Sequence, residues 1–340
     1  MARRKKSRTG HWSLATGPLS ILFGAVLLTA LLLAFPSFTT TKQTYGVSFA
    51  APHAEGIGLE WQETYDALID DLGVKHFRLM AYWEQIEPRH GVFDFTDLDY
   101  QMDRVAEVEG QVVLAIGRKL PRWPECHVPA WARELPEAEQ QAAVLAMLPR
   151  VIERYKDHPA LAMWQLENEP LLDFGDCPPE DREFLAEEEA LLRSLDDTHP
   201  ILVTDSGELN WWLDAAQFGD VLGTTMYRTV FSKRTKDIFS YDYWFPAWLY
   251  RAKGRAVTWL RGDPVLISEL QGEPWGAAPF QEMTEAARRR SLSPQRLQEL
   301  QNFAARTQLP IAYWWGAEYW YWEKEVHDDP AFWEVARSFF

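Results

Sequence analysis

Short apolar runs alternate with amphipathic stretches along the chain from residue 45 onward. Continuous apolar runs of four to six residues are typical of parallel strands that are buried on both faces. Eight such strands are predicted, over Tyr45–Phe49, His76–Met80, Val112–Ile116, Leu161–Leu166, Ile201–Thr204, Val221–Met226, Val265–Ser268 and Ile311–Trp315.

Stretches with helical periodicity lie between these strands. In the first one, Trp61, Tyr65 and Leu68 recur at the spacing that places them on one face of a helix. Ser293 followed by Pro294 indicates a helix start, because serine caps free N–H groups and proline suits the first turn. Helices are predicted over Glu60–Leu72, Asp97–Val108, Glu137–Tyr155, Asp181–Leu195, Asn210–Phe218, Ala247–Leu260 and Asp329–Phe339, with one more beginning at Pro294.

Eight alternations of strand and helix predict an α/β fold, the (β/α)8 TIM barrel, over residues 45–340. A doubly wound open sheet is the alternative, but no G-x-G-x-x-G sequence follows the first predicted strand. The barrel leaves no room for a second domain. Its functional residues are expected just past the C-terminal ends of the strands.

Two glutamates occupy such positions. Glu169 follows the fourth predicted strand, and Glu269 follows the seventh. In a ring of eight strands, this spacing lets the two side chains face each other across the mouth. Glycoside hydrolysis needs such a pair: one carboxyl protonates the departing oxygen, and the other attacks the anomeric carbon or activates water. We therefore expect Glu169 and Glu269 to be catalytic, while most other acids lie on a solvated surface.

Other strand ends carry further candidates. Arg78 is always charged and is expected either to hold a carboxylate in its ionised form or to form a structural ion pair. Tyr227 is expected to donate a hydrogen bond to the nucleophile. Trp315 is the first candidate for stacking on a sugar and Trp314 the second, although alternation along a strand lets only one of them face the cavity. Sugar contacts and structural roles are both open for Arg118, Lys119 and His53.

The charge is unevenly distributed. The chain has a net charge of −16, yet residues 1–54 hold six Lys or Arg and no acid. This balance argues against nucleic acid as a partner, because a nucleic-acid binder needs a basic face. The basic tail 1–17 precedes an apolar stretch, 18–36, which predicts a single transmembrane signal-anchor helix with the N-terminus inside.

A short polar linker, 37–44, joins this segment to the barrel. A cleaved secretory signal is the alternative to an anchor. Both interpretations place the barrel outside the cytoplasm, either anchored to the membrane or secreted.

Two cysteines, Cys126 and Cys177, lie in the loops after the third and fourth predicted strands. Neighbouring loops are able to meet, so a disulfide between them is a hypothesis for an exported protein. Neither C-x-x-C nor H-E-x-x-H occurs, and the eight histidines are scattered. No metal or cofactor is therefore predicted.

Three segments carry a family resemblance: Phe77–Asp99, the WQLENEP of Trp164–Pro170 and the LISEL of Leu266–Leu270. They resemble clan A retaining glycoside hydrolases, most closely family 5 (cellulase and mannanase type) and family 42 (β-galactosidase type). The resemblance covers nearly all of residues 45–340. It is specific to the clan and not to a substrate.

The resemblance implies roles for individual residues. Glu169 would be the acid/base and Glu269 the nucleophile, oriented by Arg78 and Tyr227. Asn168 would hydrogen-bond the 2-hydroxyl of the sugar in the −1 subsite, the position of the sugar whose bond is cleaved. Trp315 would stack on that same sugar. One departure is the segment GRKLPRWPE after the third strand, where family 5 commonly has a histidine.

These observations predict a retaining hydrolase of β-linked oligo- or polysaccharides, with carboxyl groups about 5–5.5 Å apart. Two alternatives stay open. One is a membrane-anchored glycan-binding protein without turnover, which would not need both glutamates. The other is a transglycosylase that uses the same residues with a sugar as acceptor.

Overall fold

Eight parallel strands close into a barrel in a computed structural model that describes residues 42–179, 181–232, 234–242 and 244–340. The predicted TIM barrel is thus confirmed. In chain order the strands are β1 (Thr44–Ser48), β2 (His76–Met80), β3 (Gln111–Ile116), β4 (Leu161–Leu166), β5 (Ile201–Asp205), β6 (Val221–Met226), β7 (Thr229–Ser232), β8 (Asp237–Ser240), β9 (Val265–Gln271) and β10 (Ile311–Trp315). Strands β7 and β8 form a separate antiparallel hairpin, and β1 pairs with β10 to close the ring.

All eight predicted strands are present, and most agree to within one residue at each end. The largest difference is at β9, which continues to Gln271 because Leu270 and Gln271 pair with Trp314 and Trp315 of β10. Glu269 therefore lies inside the last part of β9 and not after it. A position within a paired strand holds this side chain more rigidly than a loop would.

Helices cover the outside of the barrel. Ser293 caps one of them as predicted, because its hydroxyl accepts a hydrogen bond from the Arg296 N–H at 3.1 Å. The helices are α1 (Ala51–Gly56), α2 (Trp61–Asp70), α3 (Trp83–Ile86), α4 (Thr96–Glu107), α5 (Glu137–Tyr155), α6 (Arg182–Leu195), α7 (Ala247–Arg261), α8 (Glu285–Ser291), α9 (Pro294–Thr307), α10 (Ala317–Val326) and α11 (Ala331–Ala336).

The predicted helix Asn210–Phe218 is wrong. Only Ala215–Gln217 is helical there, as a single 3₁₀ turn. Trp211, the second residue of the predicted helix, is 80% exposed. The next residue, Trp212, is buried with a φ of 71°, which no right-handed helix accommodates. The hairpin β7–β8 and the short helices at the mouth were not predicted, because they are too brief to show a period.

Trp314 packs on the outer side of the barrel wall. It is fully buried. Its ring centroid lies 6.2 Å from that of Tyr45, 5.6 Å from that of Trp320 and 4.9 Å from that of Phe339. The second-choice role of Trp314 in sugar stacking is therefore wrong. Side chains alternate along β10, so Trp315 points the other way, into the mouth.

The predicted basic tail and anchor, 1–36, and residues 37–41 of the predicted linker 37–44 lie outside the described residues. Among the residues that the structure does describe, no helix is both long enough and apolar enough to cross a bilayer.

The position of Trp314 leads to a stability prediction. We expect Trp314→Ala to lower the free energy of unfolding by about 3–5 kcal/mol, because it empties a packed aromatic site behind β10. Trp259→Ala is the matched control, since Trp259 is 76% exposed, and should change stability by less than about 0.5 kcal/mol. Urea unfolding followed by tryptophan fluorescence measures both. Equal stability losses in the two variants would contradict this packing.

Candidate active site

A cavity of about 900 Å³ opens at the C-terminal ends of the barrel strands. Residues at or just beyond the C-terminal end of each of the eight strands line it. Glu169, Glu269, Asn168, Tyr227 and Trp315 all contribute to its wall. The structure thus brings these five candidates from the sequence together, while Arg78 lies beneath them.

Glu269 is held at both carboxylate oxygens. Arg78 Nη1 lies 2.8 Å from Oε1, and the Tyr227 hydroxyl donates to Oε2 at 2.7 Å. Arg78 is fully buried, and its Nε donates to Gln165 at 2.6 Å. A guanidinium is always charged, so it stabilises the negative charge of Glu269. Burial and the charge of Glu269 raise the pKa of Tyr227 well above its usual range, which keeps the phenol a hydrogen-bond donor.

Glu169 is in the opposite electrostatic situation. Burial raises the pKa of this carboxyl well above its usual range, and the negative charges of Glu269 and Glu125 raise it further. Its carboxyl accepts a hydrogen bond from the Thr225 hydroxyl, at 3.4 Å. Both effects favour the protonated form of Glu169, which faces a carboxylate held by a cation. Two carboxyl groups with different protonation states are the arrangement that acid and nucleophile roles require.

The side-chain amide of Asn168 is fixed in one orientation. Its Oδ1 accepts hydrogen bonds from Arg78 Nη2 at 2.8 Å and from the Thr204 hydroxyl at 3.3 Å. Its Nδ2 donates one of two hydrogens to Glu125 Oε2 at 3.0 Å. The second hydrogen is left for a ligand in the cavity.

Trp315 is tied to an ion-pair cluster at the edge of the cavity. Its Nε1 donates to Glu273 at 3.0 Å, and the guanidinium of Arg122 lies 4.0 Å from its ring centroid. Burial would raise the pKa of Glu273, but Arg122 and His53 outweigh burial and lower it to about 2. Glu273 is thus a permanent carboxylate that positions Trp315. Because Arg122 covers one face of the indole, only the other face is available to a sugar.

Glu125 is a site residue that the sequence did not single out. It lines the cavity, is only 7% exposed and accepts the hydrogen bond from Asn168. Burial raises the pKa of Glu125 to about 8, and Glu269 contributes to the rise. No periodicity marks this residue, because it lies nine positions beyond the end of β3. Its only signal was that it ends the segment GRKLPRWPE, which departs from the family pattern.

Of the remaining polar candidates, His53 lines the cavity, whereas Arg118 and Lys119 contact other parts of the protein. Arg118 points away from the cavity and pairs with Glu137 at 3.0 Å. Lys119 Nζ donates to the backbone carbonyl of Glu169 at 3.0 Å and so supports the loop after β4. His53 lines the cavity beside Glu273.

A disulfide joins Cys126 to Cys177, with a Cα separation of 5.3 Å. It links the loop after β3 to the loop after β4, as hypothesised from the sequence. Within the described part of the chain, no group of three or more His, Cys, Asp or Glu side chains is arranged to hold a metal ion.

Comparison with known proteins agrees with the barrel fold. Residues 100–247 match the model of the glycosyl hydrolases family 2 TIM barrel domain. The match covers 148 of the 340 residues and shows that this part of the chain is similar to that domain. A β-galactosidase from Arthrobacter sp. is 37% identical over 102 residues, which is 25% of this chain and 15% of that protein. The alignments with curated β-galactosidases each span only 15–23% of the relative's length.

Solved structures share the fold. A GH5_18 protein from Bifidobacterium longum subsp. longum, in complex with Manβ1-4GlcNAc, superposes with a TM-score of 0.56 at 14% identity. That match covers 81% of this chain and 69% of the other. A GH42 β-galactosidase superposes with a TM-score of 0.55 at 14% identity, covering 88% of this chain and 56% of the other. At these identities the likeness concerns the barrel.

Because the pKa of Glu125 is raised in the folded protein, we expect the free energy of unfolding to depend on pH through this residue. Between the usual carboxyl pKa of 4.5 and about 8, the folded protein keeps a proton on Glu125 that the unfolded chain has lost. Stability therefore falls across this window as pH rises. Glu125→Gln cannot ionise, so its free energy of unfolding relative to wild type should increase from pH 5 to pH 8.

Urea unfolding at the two pH values measures this difference. Glu63→Gln, at an exposed position on α2, is the control and should not change the pH dependence. A constant difference between Glu125→Gln and wild type would contradict the protonated state of Glu125.

Proposed function

We propose that this protein is a retaining glycosidase that hydrolyses β-linked glycans by double displacement. The observation that carries the proposal is the contrast between two carboxyl groups of one cavity. Glu269 is bound by Arg78 and Tyr227 through both oxygens, whereas burial and neighbouring charge keep a proton on Glu169. A nucleophile and a general acid need these two states at the same pH.

In the first step Glu269 attacks the anomeric carbon while Glu169 gives its proton to the departing glycosidic oxygen. The bond from the anomeric carbon to that oxygen breaks, and an ester to Glu269 forms. Glu269 loses its negative charge as this ester forms. That charge therefore no longer raises the pKa of Glu169, and Glu169 gives up its proton more easily. The remaining N–H of Asn168 is available to the 2-hydroxyl of the same sugar.

In the second step water replaces the leaving group. Glu169, now ionised, takes a proton from the water as the water attacks the anomeric carbon. The ester bond breaks, Glu269 returns to its ion pair with Arg78, and Glu169 is protonated again. The sugar is released with its original β configuration, because two inversions have taken place.

The similar proteins narrow the choice of sugars to test. The curated relatives are named β-galactosidases, and the GH5_18 structure contains Manβ1-4GlcNAc. We therefore propose β-galactosides and β-mannosides as the first substrates to assay, in a panel that includes β-glucosides.

We further propose that the barrel acts outside the cytoplasm, anchored by residues 18–36. The basic tail followed by the apolar stretch supports this proposal. The disulfide between Cys126 and Cys177 also supports it, because disulfides persist in oxidising compartments.

Paired substitutions test the two catalytic roles. Glu269→Gln should abolish nearly all turnover of every substrate, because no covalent intermediate forms. Glu169→Gln should slow hydrolysis of unactivated disaccharides by about 10²–10⁴-fold. It should slow the first step of a 2,4-dinitrophenyl β-glycoside much less, because that leaving group departs without a proton. Steady-state and burst kinetics with both kinds of substrate measure the difference.

Glu273→Gln is the matched control, because Glu273 lies in the same cavity but is held in an ion pair with Arg122. We expect it to weaken substrate binding and to leave the dependence on leaving group as in wild type. Wild-type turnover by Glu269→Gln would refute the proposed nucleophile. Saturable glycan binding by the wild type with no turnover on any β-glycoside would favour the glycan-binding alternative.

A further inference from the structure

The rim of the active-site cavity carries a pair of exposed aromatic side chains. Trp123, in the loop after β3, is 66% exposed, and Phe174, in the loop after β4, is 45% exposed. Both line the cavity, and their ring centroids lie 6.4 Å apart with the rings nearly perpendicular. Exposing this much apolar surface costs free energy, so an exposed aromatic pair at a cavity rim is a feature that a ligand contact explains.

Several contacts hold the two loops together directly beneath these rings. The disulfide between Cys126 and Cys177 joins them covalently, and the Asp176 N–H donates to the Pro124 carbonyl at 2.9 Å. Gly175 has a φ of 89°, and a Cβ at this position would lie 2.6 Å from the Cβ of Glu125. Glycine favours this backbone conformation, and its lack of a Cβ permits so close an approach. The two rings are therefore carried by loops that are fixed to each other, and not by two independent loops.

This pair differs from Trp315, the aromatic side chain at the end of β10. Trp315 is only 8% exposed and has Arg122 over one face, which suits one sugar held close to the carboxylates. Trp123 projects from the rim, two residues before Glu125, which is hydrogen-bonded to Asn168. A volume of about 900 Å³ is near the upper end of the range for small-ligand sites, so the cavity has space for more than one ring.

We propose that Trp123 and Phe174 form a second sugar-binding subsite, which stacks on a ring next to the one undergoing cleavage. Sugar rings have apolar C–H faces, and an indole held edge-on by a phenyl ring presents a flat surface to them. The substrate is then a β-linked chain of at least two sugars. This inference rests on the proposed function, because that function defines which sugar is cleaved and therefore which neighbouring sugar the subsite binds. The binding of the sugar chain itself is independent of turnover.

The test compares substrates of different length. For the sugar that the wild type turns over, kcat/KM is measured on the aryl β-monoside and on the β-1,4-linked hexasaccharide. Trp123→Ala should lower the ratio of hexasaccharide to monoside kcat/KM by about three- to tenfold, the range expected for loss of one aromatic stacking contact. Phe174→Ala should lower it in the same direction. Trp259→Ala removes an exposed tryptophan far from the cavity and should leave both values unchanged.

A Cys126→Ser, Cys177→Ser double variant tests whether the disulfide between the two loops holds the rings in place. Its hexasaccharide to monoside ratio should fall as it does in Trp123→Ala, because the rings are no longer held together. An unchanged ratio in Trp123→Ala would overturn the subsite, as would equal losses on both substrates. An unchanged ratio in the double cysteine variant would overturn the role of the disulfide.

Titration calorimetry separates this inference from the proposed function. Cello-, manno- and galacto-hexaoses are titrated into full-length Glu269→Gln, with and without Trp123→Ala. Weaker binding on loss of Trp123 supports the subsite even if the wild type hydrolyses nothing. Unchanged binding of a hexaose that the protein does bind overturns it, even if the wild type is an active glycosidase.

Discussion

The buried guanidinium of Arg78 is the interaction on which the rest of the active site depends. From β2 it reaches across the inside of the barrel to Glu269 on β9, to Gln165 on β4 and to Asn168 just beyond β4. A cation buried this deeply is costly unless its charge and its N–H groups are all satisfied. Satisfying them places a carboxylate and an amide at fixed positions, and Glu269 and Asn168 are the residues so placed. The stability of the barrel interior and the geometry of the site therefore share one network.

The charge on Glu269 has a consequence for its neighbours. Burial raises the pKa values of Glu169, Glu125 and Tyr227, and the charge on Glu269 raises them further. Beside the carboxylate of Glu269, the cavity therefore holds several groups whose protonated form is favoured. Such a cavity supplies hydrogen-bond donors to a sugar and a proton to a leaving group. The ion pair between Glu273 and Arg122 keeps a further carboxylate out of this chemistry.

The barrel was predictable because strands buried on both faces leave a continuous apolar run, and the residues that end such runs lie at the mouth by topology alone. Arg78, Glu169, Tyr227 and Trp315 were found in this way. The same reasoning failed at Asn210–Phe218, where apolar residues lie in solvent. It also missed Glu125 and the partnership of Trp123 with Phe174. These depend on how two long loops pack on each other through a disulfide and a glycine, and such contacts leave no periodic pattern in either loop.

The central claim is that Glu269 attacks the sugar and Glu169 supplies and then recovers the proton. The stereochemistry of the first product tests it most directly, because double displacement preserves the anomeric configuration and a single attack by water inverts it. Proton NMR during hydrolysis of an aryl β-glycoside, recorded before mutarotation, shows which anomer forms first. The account predicts the β-anomer. Initial formation of the α-anomer would show that no glycosyl ester on Glu269 is formed, and would contradict it.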